Sequence, residues 1–220
     1  MNYYISDLHL FHKNVTNEGK NYDNRPFGTM EEMLEKIKEN WNRKITNGDT
    51  VYILGDVGMR GSSEEMIAYV ATLKGHKILV RGNHDDLSDL RYKQLFEEIC
   101  DYKEIKDHYE LIYPTGNCGR REENKRENVK LVLCHYPILM WKDQHRGAIL
   151  LYGHLHNTAE EPIFRKCLKM LEKDDSVKAR REGVHHLRAY NVGCMLPYIN
   201  YEPRTLTEII NGAYRVTGEI

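Results

Sequence analysis

The chain has 220 residues, 40% of them hydrophobic and 30% charged, room for one substantial core and too apolar for intrinsic disorder. Thirty-two Lys plus Arg against 33 Asp plus Glu leave a formal net charge of -1, which argues against a cationic surface for nonspecific nucleic-acid or membrane binding. No apolar run approaches the ~18 residues of a membrane span, Met1–Asp7 meets an acid before any signal-peptide core forms, and five cysteines without a Cys-x-x-Cys pair fit a reducing, cytoplasmic setting.

In chain order, Tyr3-Tyr4-Ile5, Val51–Leu54 and Ile78-Leu79-Val80 read as buried strands. The first two are separated by an amphipathic helix with apolar residues at Met30, Met33, Leu34, Ile37, Trp41 and Ile45, opened by the capping-box pair Thr29 and Glu32. Ser62 and Glu65 repeat that pattern before a second helix striped by Met66, Ile67, Val70 and Leu73, with Gly75 placed to stop it. Strand–helix–strand–helix–strand predicts parallel βαβ units and an α/β layer structure. Residues 86–99 read as helical. Runs at 104–113 and 129–134 read as strands joined by a polar tip at 114–128, and 148–152 and 187–192 as further strands. The second half is therefore expected to be a more antiparallel sheet. Residues 157–186 form a charged insertion, with a helix near 163–171 and a charge-dense run, Glu172–Glu182, that could cover a crevice. No linker divides the chain, so residues 1–220 are read as one domain.

The chemistry lies just beyond the apolar runs. After the first comes Asp7-x-His9, and after the second Gly55-Asp56. The third is followed by Gly82-Asn83-His84-Asp85, the run ending at Cys134 by His135, and the run ending at Tyr152 by Gly153-His154-Leu155-His156. In open α/β sheets, ligands gather beyond the carboxyl ends of the strands, so these groups can converge on one crevice. Singly, each Asp or His would be read as a cap or a loop residue. Together, Asp7, His9, Asp56, Asn83, His135, His154 and His156 are too many for one tetrahedral structural zinc and enough for two ions if a carboxylate bridges. Mixed nitrogen and oxygen donors suit Mn, Fe, Zn or Ni better than Mg or Ca. His76, His108, His145 and the pair His185-His186 lack such a setting, and Cys134 is expected to face the core.

This ordered set resembles the calcineurin-like metallophosphoesterases over residues 5–156, with Asn191-Val192-Gly193 resembling their closing strand. The resemblance implies an α/β fold of two mixed β-sheets packed as a sandwich and flanked by helices. It implies one metal held by Asp7, His9, Asp56 and His156, and a second held by Asp56, Asn83, His135 and His154. It further implies His84 as the proton donor, with Asp85 orienting it, and in-line attack on a phosphomonoester or phosphodiester by a metal-bridging hydroxide. His12-Lys13-Asn14 with Arg25-Pro26-Phe27 is similar to small bacterial and phage members, which makes Asn83, His12 and Arg25 candidates for holding the phosphate.

The protein serine/threonine phosphatases are disfavoured. Ser6-Asp7-Leu8-His9-Leu10 and Gly55-Asp56-Val57-Gly58-Met59-Arg60-Gly61 depart from their motifs, and the third motif ends in Asp85 where theirs has Glu. A nuclease would want an extended basic groove, which the near-neutral charge does not favour, so nucleic acid enters only as a substrate. A metal-free scaffold would have lost ligands, and here every position is filled. The expectation is a cytoplasmic phosphoric ester hydrolase with a small phosphorylated substrate and no membrane partner.

Overall fold

A computed structural model describes residues 1–59, 64–111, 126–179 and 186–217. Strands β1 (Asn2–Ile5), β2 (Thr50–Ile53), β3 (His76–Val80) and β4 (Glu98–Cys100) form one sheet in that order, parallel throughout. The second sheet runs β5 (Tyr102–Glu110), β6 (Arg126–Cys134), β7 (Ile149–Tyr152) and β8 (Ala189–Asn191), with β5 antiparallel to β6 and the remaining pairs parallel.

Parallel strands covered on both faces need side chains that are apolar in succession. Tyr3, Tyr4 and Ile5 are all buried, as are all four residues of β7. The two sheets share a core. Tyr4, Ile5, Val51 and Ile53 from the first join Leu131, Leu133, Ile149 and Leu151 from the second. The alternate residues Val132, Cys134, Leu150 and Tyr152 point the other way, into a smaller cluster with Trp141, Phe164 and Leu168. Phe164 and Leu168 come from α4 (Glu160–Lys173), while α1 (Met30–Lys44) and α2 (Glu64–Ala71) contribute Met33, Ile37, Trp41, Met66 and Val70 to the main core. The last helix, α6 (Leu206–Thr217), adds Leu206, Ile209 and Ile210 and is tied to β5 through Thr207 and Asn211. The result is the expected layering of two sheets flanked by helices.

Several local expectations change. The helix expected over 86–99 shrinks to one turn, α3 (Leu90–Lys93), and the segment ends as β4 against β3. The Asp86 side chain accepts from the Ser88 amide in a turn, Asp89 caps the single turn of α3 by accepting from the Arg91 amide, and the open edge of β3 captures Glu98–Cys100 as a strand. The second sheet is antiparallel only at β5–β6. Residues 135–148 provide a crossover of the dozen or so residues that a parallel return needs, braced by a 3-10 turn at Gln144–Arg146 and by Trp141 Nε1 donating to the Ala148 carbonyl at 2.9 Å. Helix α2 ends at Ala71, and Gly75 (φ 89°) instead makes the turn into β3. The residues of the expected insertion that form α4 pack an inner face onto the second sheet, as a layer of the sandwich. The charge-dense run continues into a solvent-facing turn, α5 (Asp175–Lys178). Ser62, most of the polar tip, residues 180–182 of the charged run and residues 183–185 of the insertion lie outside the described residues.

The capping box of α1 forms as expected: Thr29 Oγ1 accepts from the Glu32 amide at 3.2 Å and the Glu32 carboxylate accepts from the Thr29 amide at 3.3 Å. Replacing Thr29 with Ala leaves a helix-end amide without its acceptor. It should lower the unfolding free energy by about 1 kcal/mol in urea denaturation, with an unchanged denaturant slope.

Candidate metal centre

The carboxyl ends of β1, β2 and β3 meet those of β6, β7 and β8 because the chain just beyond β1 pairs with the chain just beyond β8. The Ser6 amide donates to the Val192 carbonyl at 2.9 Å, the Cys194 amide donates to the Ser6 carbonyl at 2.9 Å, and Ser6 and Gly193 form a parallel bridge. This seam brings Asp7 and His9 alongside His154 and His156. Asp7, His9, Asp56, His154 and His156 all have left-handed backbone, with φ between 48° and 69°. Each turns the chain sharply at a strand end and aims its side chain across the seam.

Two glycines make room. Gly153 has no Cβ where one would lie 2.5 Å from Ser6 Oγ and 2.6 Å from Asp7 Oδ2. Gly55 (φ 89°) lies so close to His135 that a Cβ would come within 2.4 Å of its Nδ1.

Ligand atoms of Asp7, His9, Asp56 and His156 lie within 4.8 Å of one another, and so do those of Asp56, His135 and His154. The histidine tautomers suit metal binding. His135 Nδ1 lies 2.8 Å from the Leu54 carbonyl and His156 Nδ1 lies 3.0 Å from Asp23 Oδ2, so both Nδ1 atoms carry the proton and both Nε2 lone pairs face inward. His9 Nε2 lies 3.0 Å from His156 Nε2. Asp56 Oδ2 is 3.6 Å from His9 Nε2 and also 3.6 Å from His135 Nε2. Asn83 Oδ1 is 3.1 Å from His135 Nε2, and Asp7 Oδ1 is 3.6 Å from His156 Nε2. Ligands about 2.1 Å from a shared ion stand roughly 3.0–3.4 Å apart in octahedral or tetrahedral arrangement. Each group of donors is therefore close to the spacing that a divalent ion needs, and Asp56 belongs to both groups.

Electrostatics favour neutral imidazoles at His9 and His154. Burial, followed by the charges of His156 and Arg25, holds His9 well below the usual imidazole range, and burial followed by His135 lowers His154. Burial alone would lower His156 too, but the hydrogen bond to Asp23 and the charge of Asp7 outweigh it, so its pKa is raised. Burial pushes the Asp56 carboxyl up against the opposing pull of His135 and the His84 amide. A cation bound beside the carboxylate would offset that burial penalty, which is a further reason the set suits metal. Asp7 is held by Ser6 Oγ, which donates to its Oδ2 at 2.6 Å, and by the His154 amide at 3.1 Å.

His84 stands beside this group, its ring 5.5 Å from that of His9 in edge-on contact, and its amide donates to Asp56 Oδ1 at 2.9 Å. The half-buried His12 has its ring 5.8 Å from that of His9, and its Nδ1 has no hydrogen-bond partner among the described residues.

Two expected roles are corrected. Arg25 does not face the crevice: its side chain is fully buried and lies behind the strand-end turn. Its guanidinium donates to the Leu8 carbonyl at 2.9 Å, to the Asp7 carbonyl at 2.8 Å and to both oxygens of Asp23. No donor geometry is left for a phosphate. Asp85 does not orient the His84 ring. Its carboxylate accepts from the amides of Gly82, Asp56 and Val57 at 2.8–3.0 Å and from the Tyr92 hydroxyl at 3.2 Å, tying the β2 and β3 loops together.

Sequence reasoning passes over Asp23, the buried partner of both His156 and Arg25. A usable signal was its position two residues before Arg25 in an Asn-rich turn whose Asn21 and Asn24 have left-handed φ. Asn191 stood out only as part of a closing strand. It anchors the far side, donating to the His156 carbonyl and to Glu161 at 3.1 Å while its Oδ1 accepts from the Gly193 amide.

Comparison with known proteins agrees with this architecture. A stretch of 88 residues, 40% of the chain, is 35% identical to an uncharacterised protein of Methanocaldococcus jannaschii, and spans about half (48%) of that protein's length. The gene 66 proteins of Mycobacterium phages D29 and L5 are 24% and 23% identical over 70% of this chain and 78% and 77% of theirs. The crystal structure of a protein of unknown function from Aquifex aeolicus, AQ665, shares the fold, with a TM-score of 0.54 and 23% identity over 92% of this chain and 94% of that one. The family model for calcineurin-like phosphoesterases matches residues 3–184, a span that contains Asp7, His9, Asp56, Asn83, His135, His154 and His156, and the chain belongs to that family.

Proposed function

We propose that the chain is a dinuclear, metal-dependent phosphoesterase of the cytoplasm that hydrolyses a small phosphomonoester or phosphodiester. The observation that carries this reading is Asp56 Oδ2, equidistant at 3.6 Å from His9 Nε2 and His135 Nε2 and so able to serve two ions at once. Two divalent ions from the Mn, Fe, Zn and Ni group, held by Asp7, His9, Asp56 and His156 and by Asp56, Asn83, His135 and His154, would supply an activated water and a charge clamp for in-line displacement at phosphorus.

The chain's own groups do the rest. With its Oδ1 turned toward His135, Asn83 has its amide NH₂ left for a phosphate oxygen, and the half-buried His12 stands beside His9 on the other side. His84, fixed through its amide to Asp56, is the group that delivers a proton to the leaving oxygen. Ser6 and the His154 amide keep Asp7 aimed, while Asp85 keeps the Asp56 and Asn83 loops in register. The free thiols of Cys100, Cys134, Cys167 and Cys194 support a reducing compartment. No helix among the described residues is long and apolar enough to cross a membrane.

Replacing Asp56 with Asn removes one charge from both ion positions, so elemental analysis of the purified variant should find both equivalents of metal reduced together. Retention of two equivalents would overturn the bridging role. Replacing His84 with Gln should leave metal content intact and slow alkyl phosphate esters by about 10²–10⁴-fold. The same variant should slow para-nitrophenyl esters far less, because that leaving group departs without help from an acid. Equal loss on both, measured at saturating Mn, would remove His84 from the proton-donor role.

A further inference from the structure

We propose that Asp23, locked by Arg25, is a positioning residue that makes the two ion positions unequal, so that the position built from Asp7, His9, Asp56 and His156 fills first and holds its ion more tightly. The inference rests on the dinuclear reading and adds a residue and an order of loading to it.

The two positions differ in what stands behind their histidines. His156 Nδ1 is held by a carboxylate oxygen, Asp23 Oδ2, at 3.0 Å, whereas His135 Nδ1 is held by a neutral backbone carbonyl, Leu54, at 2.8 Å. A carboxylate behind an imidazole raises the basicity of the ligating nitrogen and fixes the ring more firmly than a carbonyl does. Asp23 is itself buried and held. It and Arg25 have no exposed side-chain surface, and the guanidinium reaches both carboxylate oxygens at 3.0–3.2 Å.

The same guanidinium holds the carbonyls of Asp7 and Leu8, the residues that set the left-handed turns at Asp7 (φ 55°) and His9 (φ 48°). One buried ion pair thus governs three of the four donors at the first position. The donors of the second position that Asp56 does not supply, Asn83, His135 and His154, have no contact with that pair. Asn83 is exposed, and its position counts one carboxylate where the first counts two.

The test is calorimetric titration of the metal-stripped full chain with Mn²⁺. Wild type should show two events of different affinity. Asp23→Asn keeps a hydrogen-bonding side chain and loses the charge, so it should weaken the tighter event by about 10–100-fold and leave the weaker one within twofold. Because this variant leaves Arg25 buried without its counter-ion, the double variant Asp23→Asn, Arg25→Gln is measured beside it and should show the same selective loss. Equal weakening of both events, or of neither, overturns the proposal. A wild-type chain that binds no Mn²⁺ overturns the dinuclear reading itself, a distinct result.

A second readout is independent of any change at Asp23. One equivalent of ¹¹³Cd²⁺ should give a single NMR resonance that persists in His154→Gln and is lost in His9→Gln. Two equal resonances at one equivalent would overturn ordered loading.

Discussion

Left-handed backbone at the strand ends is the constraint around which the rest of this structure is arranged. Asp7, His9, Asp56, His154 and His156 each occupy a conformation that costs a residue with a Cβ roughly 1–2 kcal/mol. Summed, that is comparable with a good part of the ~5–15 kcal/mol by which a domain is stable at all. Such turns persist only when their surroundings over-determine them. Here the guanidinium of Arg25 holds the carbonyls of Asp7 and Leu8, and the Asp85 carboxylate holds the amides of Gly82, Asp56 and Val57. The Asn191 amide holds the carbonyl of His156. Each clamp sits under a turn and projects a donor atom above it.

The two sheets make those clamps possible. The pairing of Ser6 with Val192 and Cys194 joins the end of β1 to the end of β8, so that donors from two separately wound sheets face one another across a few ångströms. A core shared between Ile5, Ile53, Leu133 and Leu151 keeps the seam from opening. Removing water from the floor of the site has an electrostatic consequence as well. Burial disfavours the charged form of His9 and His154 and the ionised form of Asp56. A bound cation would relieve the last of these and would use the neutral lone pairs of the first two.

The buried Asp23–Arg25 pair illustrates how a charge behind a site differs from a charge in it. An arginine near a phosphate-handling centre invites the reading of an anion clamp, and its sequence neighbourhood, Arg25-Pro26-Phe27, gives no sign otherwise. In the folded chain the guanidinium is committed to carbonyls and to Asp23. It is paired with Asp23 at 3.0 Å and fully buried, so its part at the site is to fix geometry and not to bind an anion directly.

Short-range pattern was enough to read much of this protein. The period-2 and continuous apolar runs located β1, β2, β3, β6, β7 and β8, and the Thr29–Glu32 box located the start of α1, because each depends on residues a few positions apart. The Asp, Asn and His residues just past those runs were legible as one set, since parallel strands deliver their carboxyl ends to the same side whatever lies between them. Other features depend on groups far apart in the chain, and only the tertiary structure decided them. Residues 98–100 became a strand because β3 had an open edge, not because their own spacing asked for it. Asp85 was drawn to the amides of Asp56 and Val57, 29 and 28 residues away, and so left the ring of His84. Asp23 meets His156 across 133 residues, a hydrogen bond that no local pattern announces because it exists only once both sheets have closed on the same buried turn.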